Sequence, residues 1–238
     1  MPVPDLLVLA GGFGTRLRSA VAAVPKPLAP VNDRPYLHYL LEHWLEQGVR
    51  SLTFLLHHQA GLIESYLESQ REAGLLQACE VRTLTEPMPL GTGGAIAHAV
   101  QRLRLTGSFL VANADTWLGT GIEQVAATAA PAMAMVRVDS TERYGSVRTQ
   151  RDKVIEFAEK QHSSGPGWIN AGLYHLDAAL FRDWQHEPFS LEGELFPSLA
   201  SAGTLSAVPL QTEFVDIGVP PDYLRFCRWV EAGKAGQP

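Results

Sequence analysis

Cysteine is nearly missing from this 238-residue chain: Cys79 and Cys227 stand far apart, without metal-type spacing. That excludes a disulfide scaffold and a cysteine-based zinc centre, and predicts two buried, reduced thiols in a cytoplasmic protein. Charge is sparse as well, at 18% of residues with a net of −6, which excludes the basic face of a nucleic-acid binder. No apolar run approaches the roughly 20 residues of a membrane span. Met1–Asp5 offers no basic region to begin a signal peptide. There is no internal repeat, no low-complexity tract, and no Ser/His or Cys/His motif of a covalent catalyst. What remains is ordinary for a globular chain, 46% hydrophobic and long enough for a large core. Homo-oligomerisation is left open, because exposed apolar positions look like core ones in a bare sequence.

One local absence is more telling. No Asp or Glu falls between Asp5 and Asp33, and that stretch holds Leu6-Leu7-Val8-Leu9-Ala10-Gly11-Gly12-Phe13-Gly14-Thr15-Arg16 and Pro25-Lys26-Pro27. The apolar run reads as a buried parallel strand. It breaks into Gly11, Gly12 and Gly14, which free the backbone to turn and approach a ligand. Successive N–H groups in such a turn form a nest for anions, and Arg16, Arg18 and Lys26 add positive charge. The stretch reads as a phosphate-binding loop. It is not a P-loop, whose glycine, lysine and hydroxyl spacing fails here. It is not a dinucleotide fingerprint either, because Leu17 stands where the third glycine belongs.

Further along, strands are predicted at Leu52–Leu56, Glu80–Thr85 and Phe109–Ala112, alternating with helices. The first helix opens at Pro35, has Leu37, Leu40, Leu41, Trp44 and Leu45 on one face, and stops at Gly48. A second carries Ile63, Tyr66 and Leu67, and a third runs from the Gly91 turn through Val100. Alternation of this kind predicts an α/β fold, with a Rossmann-like, doubly wound, mixed and mostly parallel sheet. The later chain predicts a strand at Ala132–Val138, a hairpin of Val147–Thr149 with Val154–Phe157, and a strand at Ile169–Tyr174 whose glycine suggests close backbone approach. Short helices follow at Ala178–Trp184 and Glu192–Ala200, the latter with an awkward Pro197. A terminal helix is expected at Pro221–Val230 and fraying over Lys234–Pro238. The whole, 1–238, reads as one domain, with a nucleotide-binding half at 1–130 and a sugar-binding half at 131–238.

Two carboxylates complete the chemistry. Asp115, in Asn113-Ala114-Asp115-Thr116, ends a central strand, where open α/β sheets face their ligands. Asp216 follows the apolar Phe214-Val215 and is its natural partner, since a hard ion such as Mg²⁺ needs more than one oxygen donor. His57 and His58 end a strand too, but adjacent histidines point apart, and no role is assigned to them.

Leu9-Ala10-Gly11-Gly12-Phe13-Gly14-Thr15-Arg16-Leu17, with Pro25-Lys26-Pro27-Leu28, resembles the signature of the sugar-1-phosphate nucleotidylyltransferases. Within that family the chain looks most like the D-glycero-α-D-manno-heptose 1-phosphate guanylyltransferases. The resemblance implies a GT-A-like nucleotidyltransferase fold in which Leu9, Ala10, Gly11, Gly12, Gly14, Thr15, Gly91 and Thr92 hold the nucleotide. It implies that Arg16 grips the departing pyrophosphate, Lys26 the α-phosphate, and Asp115 with Asp216 a catalytic Mg²⁺. Asn113, Tyr144, Gly145 and Asn170 match its sugar-phosphate segments, and Phe157-Ala158-Glu159-Lys160 resembles its Phe-Glu-Glu-Lys-Pro motif, with Glu159 and Lys160 on the sugar and its phosphate. The chain departs from the pattern at Arg18-Ser19-Ala20, where many members read Pro-Leu-Thr, and at Ala114, Ala158 and Gln161.

The expected reaction needs no general base. A phosphate monoester, with a second pKa of about 6, is already largely dianionic at neutral pH. Its oxygen attacks the α-phosphorus of a nucleoside triphosphate in line and expels pyrophosphate, so catalysis is positioning and charge neutralisation. Guanine presents two adjacent donors that one carboxylate accepts together, so Glu86 beside the Gly91 turn favours GTP. The expected product is a nucleotide-activated heptose for cell-surface polysaccharide. The alternatives are a hexose- or N-acetylmuramate-1-phosphate uridylyl-, guanylyl- or thymidylyltransferase, or a catalytically silent nucleotide-sugar sensor. A silent sensor is expected to lose Arg16, Lys26, Asp115 or Asp216, and all four are present.

Overall fold

Hydrophobic runs that alternate with helices do pair in parallel. The strand Leu6–Leu9 lies beside Ser51–Leu56, with Val8 opposite Phe54, and Ser51–Leu56 lies beside Glu80–Thr85, with Leu52 opposite Val81. Leu6, Leu7, Val8, Leu52, Phe54 and Leu55 are all buried, as expected of parallel strands covered on both faces. The computed structural model describes residues 3–17, 20, 21, 24–158 and 165–233. It divides into two compact units. One comprises Met1–Pro87, Asn113–Thr120 and Glu213–Pro238, and the other Met88–Ala112 and Gly121–Thr212.

The first unit contains the three parallel strands and the helices Tyr36–Glu46, Ala60–Glu72 and Pro220–Glu231. Leu37, Leu40, Leu41 and Trp44 bury the expected stripe of the Tyr36–Glu46 helix, while Leu45 stays half-buried. His43 joins that stripe unannounced. It stacks on Trp117 with ring centroids 4.2 Å apart, and its Nε2 lies 2.7 Å from the Leu118 carbonyl oxygen. Burial pushes its imidazole below the usual histidine range. Two short antiparallel pairs complete the unit: Pro30–Val31 with Arg34–Pro35, and Thr116–Leu118 with Phe214–Asp216.

Antiparallel pairing dominates the second unit. Gly167–Asp177 pairs antiparallel with both Ser108–Asn113 and Ala132–Val138, and Ser206–Leu210 adds in parallel to the latter. The hairpin Ser146–Gln150 and Lys153–Ala158 forms across an Arg151-Asp152 turn. The sheet is therefore mixed, parallel in the first unit and largely antiparallel in the second.

Gly172, at φ +72°, marks a bulge in its strand, and its N–H donates to Asn170 Oδ1 at 2.9 Å. Three local expectations are corrected. The Ala178–Trp184 helix shrinks to a 3₁₀ turn at Ala178–Phe181, capped by Asp177 Oδ1 accepting from the Ala179 N–H. Glu192–Ala200 is a π turn, Leu191–Leu195, followed by an α-helix, Phe196–Ser201. Pro197 sits in the first turn of that helix, where its missing N–H costs no bond. Cys79 and Cys227 are half-exposed rather than buried. The expected frayed end, Lys234–Pro238, lies outside the described residues.

Candidate active site

The signature loop leaves the Leu6–Leu9 strand with the Ala10 N–H donating to the Leu55 carbonyl oxygen at 3.0 Å. Gly14 adopts φ +60°, a conformation that disfavours any side chain, and the Leu17 N–H returns to its carbonyl at 3.1 Å. A Cβ on Gly14 would lie 3.5 Å from Lys26 Cβ, so the loop is seated on the lysine. Lys26 itself begins a 3₁₀ turn between Pro25 and Pro27, which restricts its backbone. Thr15 and Arg16 are exposed in the same turn.

Backbone pairing carries the two aspartates to this loop. Leu9 accepts from the Ala114 N–H at 3.1 Å, which ties the Asp115 segment to the end of the first strand. Asp216 pairs with Thr116 across the short antiparallel ribbon, and the Ile217 N–H donates to the Asp115 carbonyl at 2.9 Å. Lys26 Nζ donates to Asp115 Oδ2 at 2.5 Å, and Thr116 Oγ1 donates to Asp115 Oδ1 at 3.2 Å. Asp216 Oδ1 accepts from the Gly218 N–H at 2.6 Å. Ala10, Gly12, Gly14, Lys26, Ala114 and Asp115 line a common cleft.

The charges are unevenly matched. Burial works against the ionised form of Asp115, but the Lys26 ammonium and its hydrogen bond hold the carboxyl below its usual range. Burial likewise opposes the Lys26 charge, and Asp115, with help from Asp216, keeps its ammonium above its ordinary value. For Asp216 the same ammonium does not suffice: burial, then the neighbouring Asp115 charge, push its carboxyl up to about 6. Two carboxylates thus share one ammonium.

Such a site suits a hard divalent cation, which takes oxygen donors and is commonly held by one or two carboxylates with phosphate oxygens beyond them. Among the described residues no group of three or more His, Cys, Asp and Glu side chains converges. The candidate donors are the two aspartates, and the excess negative charge at Asp216 is what a cation held there would relieve.

Other expected residues fall as follows. Glu86 is 8% exposed, and its Oε1 lies 3.4 Å from where a Cβ on Gly11 would stand, so its carboxylate lies against the signature loop. Asn113 adjoins the Asp115 segment in the same unit. Gly91, Thr92, Tyr144, Gly145 and Asn170 belong to the second unit. There Thr92 Oγ1 donates to Glu192 Oε2 at 2.6 Å, and the Leu191 N–H donates to Thr92 Oγ1 at 2.9 Å. Asn170 Nδ2 donates to the Tyr174 hydroxyl at 2.7 Å. Glu159 and Lys160 lie outside the described residues. Phe13, half-exposed on the loop, meets His57 edge-on at 5.8 Å and His58 at 5.1 Å. No motif singles out that trio; only the histidines' place at a strand's carboxyl end hinted at it.

Residues 6–232 match the family model described as nucleotidyl transferase. The D-glycero-alpha-D-manno-heptose 1-phosphate guanylyltransferase of Campylobacter jejuni is 30% identical over 92% of this chain and 97% of its own. The enzyme of the same name from Aneurinibacillus thermoaerophilus is 31% identical over 92% and 95%. The crystal structure of HddC from Yersinia pseudotuberculosis complexed with GMP-PN superposes with a TM-score of 0.81 at 32% identity, covering 95% of this chain and 99% of that one.

Proposed function

The chain belongs to the nucleotidyl transferase family and is a sugar-phosphate nucleotidyltransferase, and from that premise we propose that it joins GTP to D-glycero-α-D-manno-heptose 1-phosphate, releasing pyrophosphate. The observation that carries the reading is the cluster of Lys26, Asp115 and Asp216 against the glycine loop.

In this reading the sugar-phosphate oxygen forms a bond to the α-phosphorus while the bond to the β-phosphate oxygen breaks. Attacker and target both carry negative charge, so the protein's task is to bring them together and neutralise them. Backbone N–H groups of the Gly11–Thr15 turn cradle the triphosphate, with Arg16 on the leaving pyrophosphate. Lys26 leaves Asp115 for the α-phosphate, where charge develops. Asp115 and Asp216 hold a divalent cation, most simply Mg²⁺. When bound, such a cation neutralises phosphate oxygens and fixes their geometry. Glu86 accepts from the two donors of a guanine edge, and Asn113, Tyr144, Gly145, Glu159, Lys160 and Asn170 receive the sugar phosphate. Guanine and heptose are favoured by what the relatives are named for and by GMP-PN in the HddC crystal.

The deciding assay crosses GTP, ATP, UTP and dTTP with heptose, mannose, glucose and N-acetylmuramic 1-phosphates and measures pyrophosphate release. The largest kcat/KM is expected for GTP with the heptose phosphate. A UTP or dTTP pair in first place would overturn the base assignment, and a hexose phosphate in first place the sugar assignment.

A further inference from the structure

The Gly91-Thr92-Gly93-Gly94 turn opens the Gly91–Leu103 helix, and within the second unit it is fastened to residues 189–194. The Phe189 carbonyl accepts from the Gly93 N–H at 3.0 Å and the Gly94 N–H at 3.3 Å, and the Phe189 N–H donates to the Leu90 carbonyl at 3.0 Å. Two N–H groups that a helix start leaves without an internal partner are thereby satisfied. Gly91 stands at φ +73°, and a Cβ on it would lie 2.5 Å from the Phe189 carbonyl oxygen. A Cβ on Gly93 would strike the Phe189 ring. These glycines therefore make room for the later segment.

The side chains add a second fastening. Thr92 Oγ1 donates to Glu192 Oε2 at 2.6 Å and accepts from the Leu191 N–H at 2.9 Å. Ser190 Oγ donates to the same Glu192 oxygen at 3.0 Å and accepts from the Gly193 N–H at 3.0 Å. Glu194 Oε1 accepts from the Ser190 N–H at 3.0 Å. A threonine hydroxyl has a single hydrogen to give, and here Glu192 takes it. Thr92 is thus held by its side chain from behind, while Gly91 beside it is exposed. The Phe189 carbonyl already fixes the backbone at Gly93 and Gly94; what Glu192 adds is control of the one residue ahead of them that carries a side chain.

We propose that Glu192 is a positioning residue for the nucleotide, its carboxylate fixing the Thr92 hydroxyl and, through it, the exposed backbone at 91–92 in the form that receives a nucleoside triphosphate. The proposal rests on the reading that Gly91 and Thr92 hold the nucleotide. Glu192 acts through Thr92 and does not itself touch the ligand. A turn already ordered before the ligand arrives spares binding the cost of ordering it. Loss of the carboxylate should therefore appear in triphosphate affinity and leave the chemical step alone.

The test compares Glu192→Ala, Thr92→Val and the double variant with wild type, using the best substrate pair of the pyrophosphate-release assay. Glu192→Ala is expected to raise KM for the triphosphate by about five- to tenfold, with kcat and the KM for the sugar phosphate within about twofold of wild type. Thr92→Val should do the same, and the double variant should be no worse than either single one, because both changes cut one link. Glu192→Gln, which keeps an acceptor oxygen, should restore most of the loss. Hydrogen exchange over residues 91–95 is followed with and without the triphosphate in wild type. Exchange that the triphosphate does not slow would bring down the reading of the turn first and the proposal with it. Slowed exchange with an unchanged triphosphate KM in Glu192→Ala would overturn the role of Glu192 alone. A double variant whose KM rises by the product of the single effects would also overturn it, as would a fall in kcat matched by equal rises in both KM values, the mark of a merely structural carboxylate.

Discussion

Asp216→Asn should make the metal-free protein more stable at alkaline pH while abolishing turnover. The wild-type carboxyl titrates at about 6 rather than its ordinary 3.8, chiefly because it is buried and secondarily because Asp115 is charged. The native state therefore binds this proton more tightly than the unfolded chain does. Stability falls as pH rises from 3.8 towards 6, and above that the penalty is constant. A shift of about two units corresponds to about 3 kcal/mol. Part of that returns when the carboxylate goes, because Lys26 loses one of the charges that hold its ammonium. A net gain of about 1–2 kcal/mol remains at pH 8, or about 3–6 °C in melting temperature for a chain of this size. The amide oxygen of asparagine can still accept from the Gly218 N–H, so the loop at 216–218 need not move.

Thermal melts of both proteins in chelator, from pH 4 to pH 8, provide the measurement. The gap between them should be widest at pH 7–8, narrow through 6 and nearly vanish by pH 4. Added Mg²⁺ should stabilise wild type and close the gap from the other side. A variant less stable than wild type at pH 8, or a gap that does not change with pH, would refute the idea that Asp216 is held at an electrostatic cost.

Three further substitutions probe other parts of the molecule. Lys26→Met removes the ammonium 2.5 Å from Asp115 and should lower kcat by about 10²–10³ in the pyrophosphate-release assay, with the apparent pKa of the acidic limb rising as Asp115 loses its partner. Glu86→Gln turns one acceptor oxygen into a donor and should reduce the GTP-to-UTP ratio of kcat/KM by about tenfold; an unchanged ratio removes Glu86 from base recognition. Gly93→Ala places a Cβ 2.1 Å from the Phe189 ring, which must then be displaced, and should cost about 1–3 kcal/mol in a urea titration.

The parts of this molecule that were legible in sequence share a physical reason. The Leu6–Leu9 strand and the loop after it declare themselves because burial on both faces demands an unbroken apolar run, and a tight turn demands glycine. Asp115 and Asp216 were legible because each is an acid at the end of an apolar strand, where a solvated carboxylate would have no need to be. Pro197 misled for the opposite reason: one local rule forbids it within a helix, while another welcomes it in a first turn, and only the π turn at Leu191–Leu195 tells which rule applies. His43 was invisible. It occupies a core position of an amphipathic helix, where a ring reads as packing. What distinguishes it is its partner, the Leu118 carbonyl. That carbonyl comes from the Asn113–Thr120 segment, which returns to the first unit from further along the chain. No pattern within a helix encodes what a distant ribbon brings to it.

That returning ribbon also explains why the cluster is built with its charges unbalanced. With one ammonium for two carboxylates, Lys26 is committed to Asp115 and Asp216 is left exposed to repulsion. A second lysine would have balanced the site, but it would also have occupied the place that the proposed cation needs. Asparagine at 216 would have removed the repulsion and, with it, the oxygen charge on which the proposed cation site depends. The arrangement in the chain is the one that keeps a half-buried aspartate paired with Lys26 as an anchor and a second, without an ammonium of its own, as a standing demand for positive charge. A protein selected only to fold would have resolved that demand internally, and its persistence beside a phosphate-shaped loop is the physical argument that the missing charge arrives with the substrates.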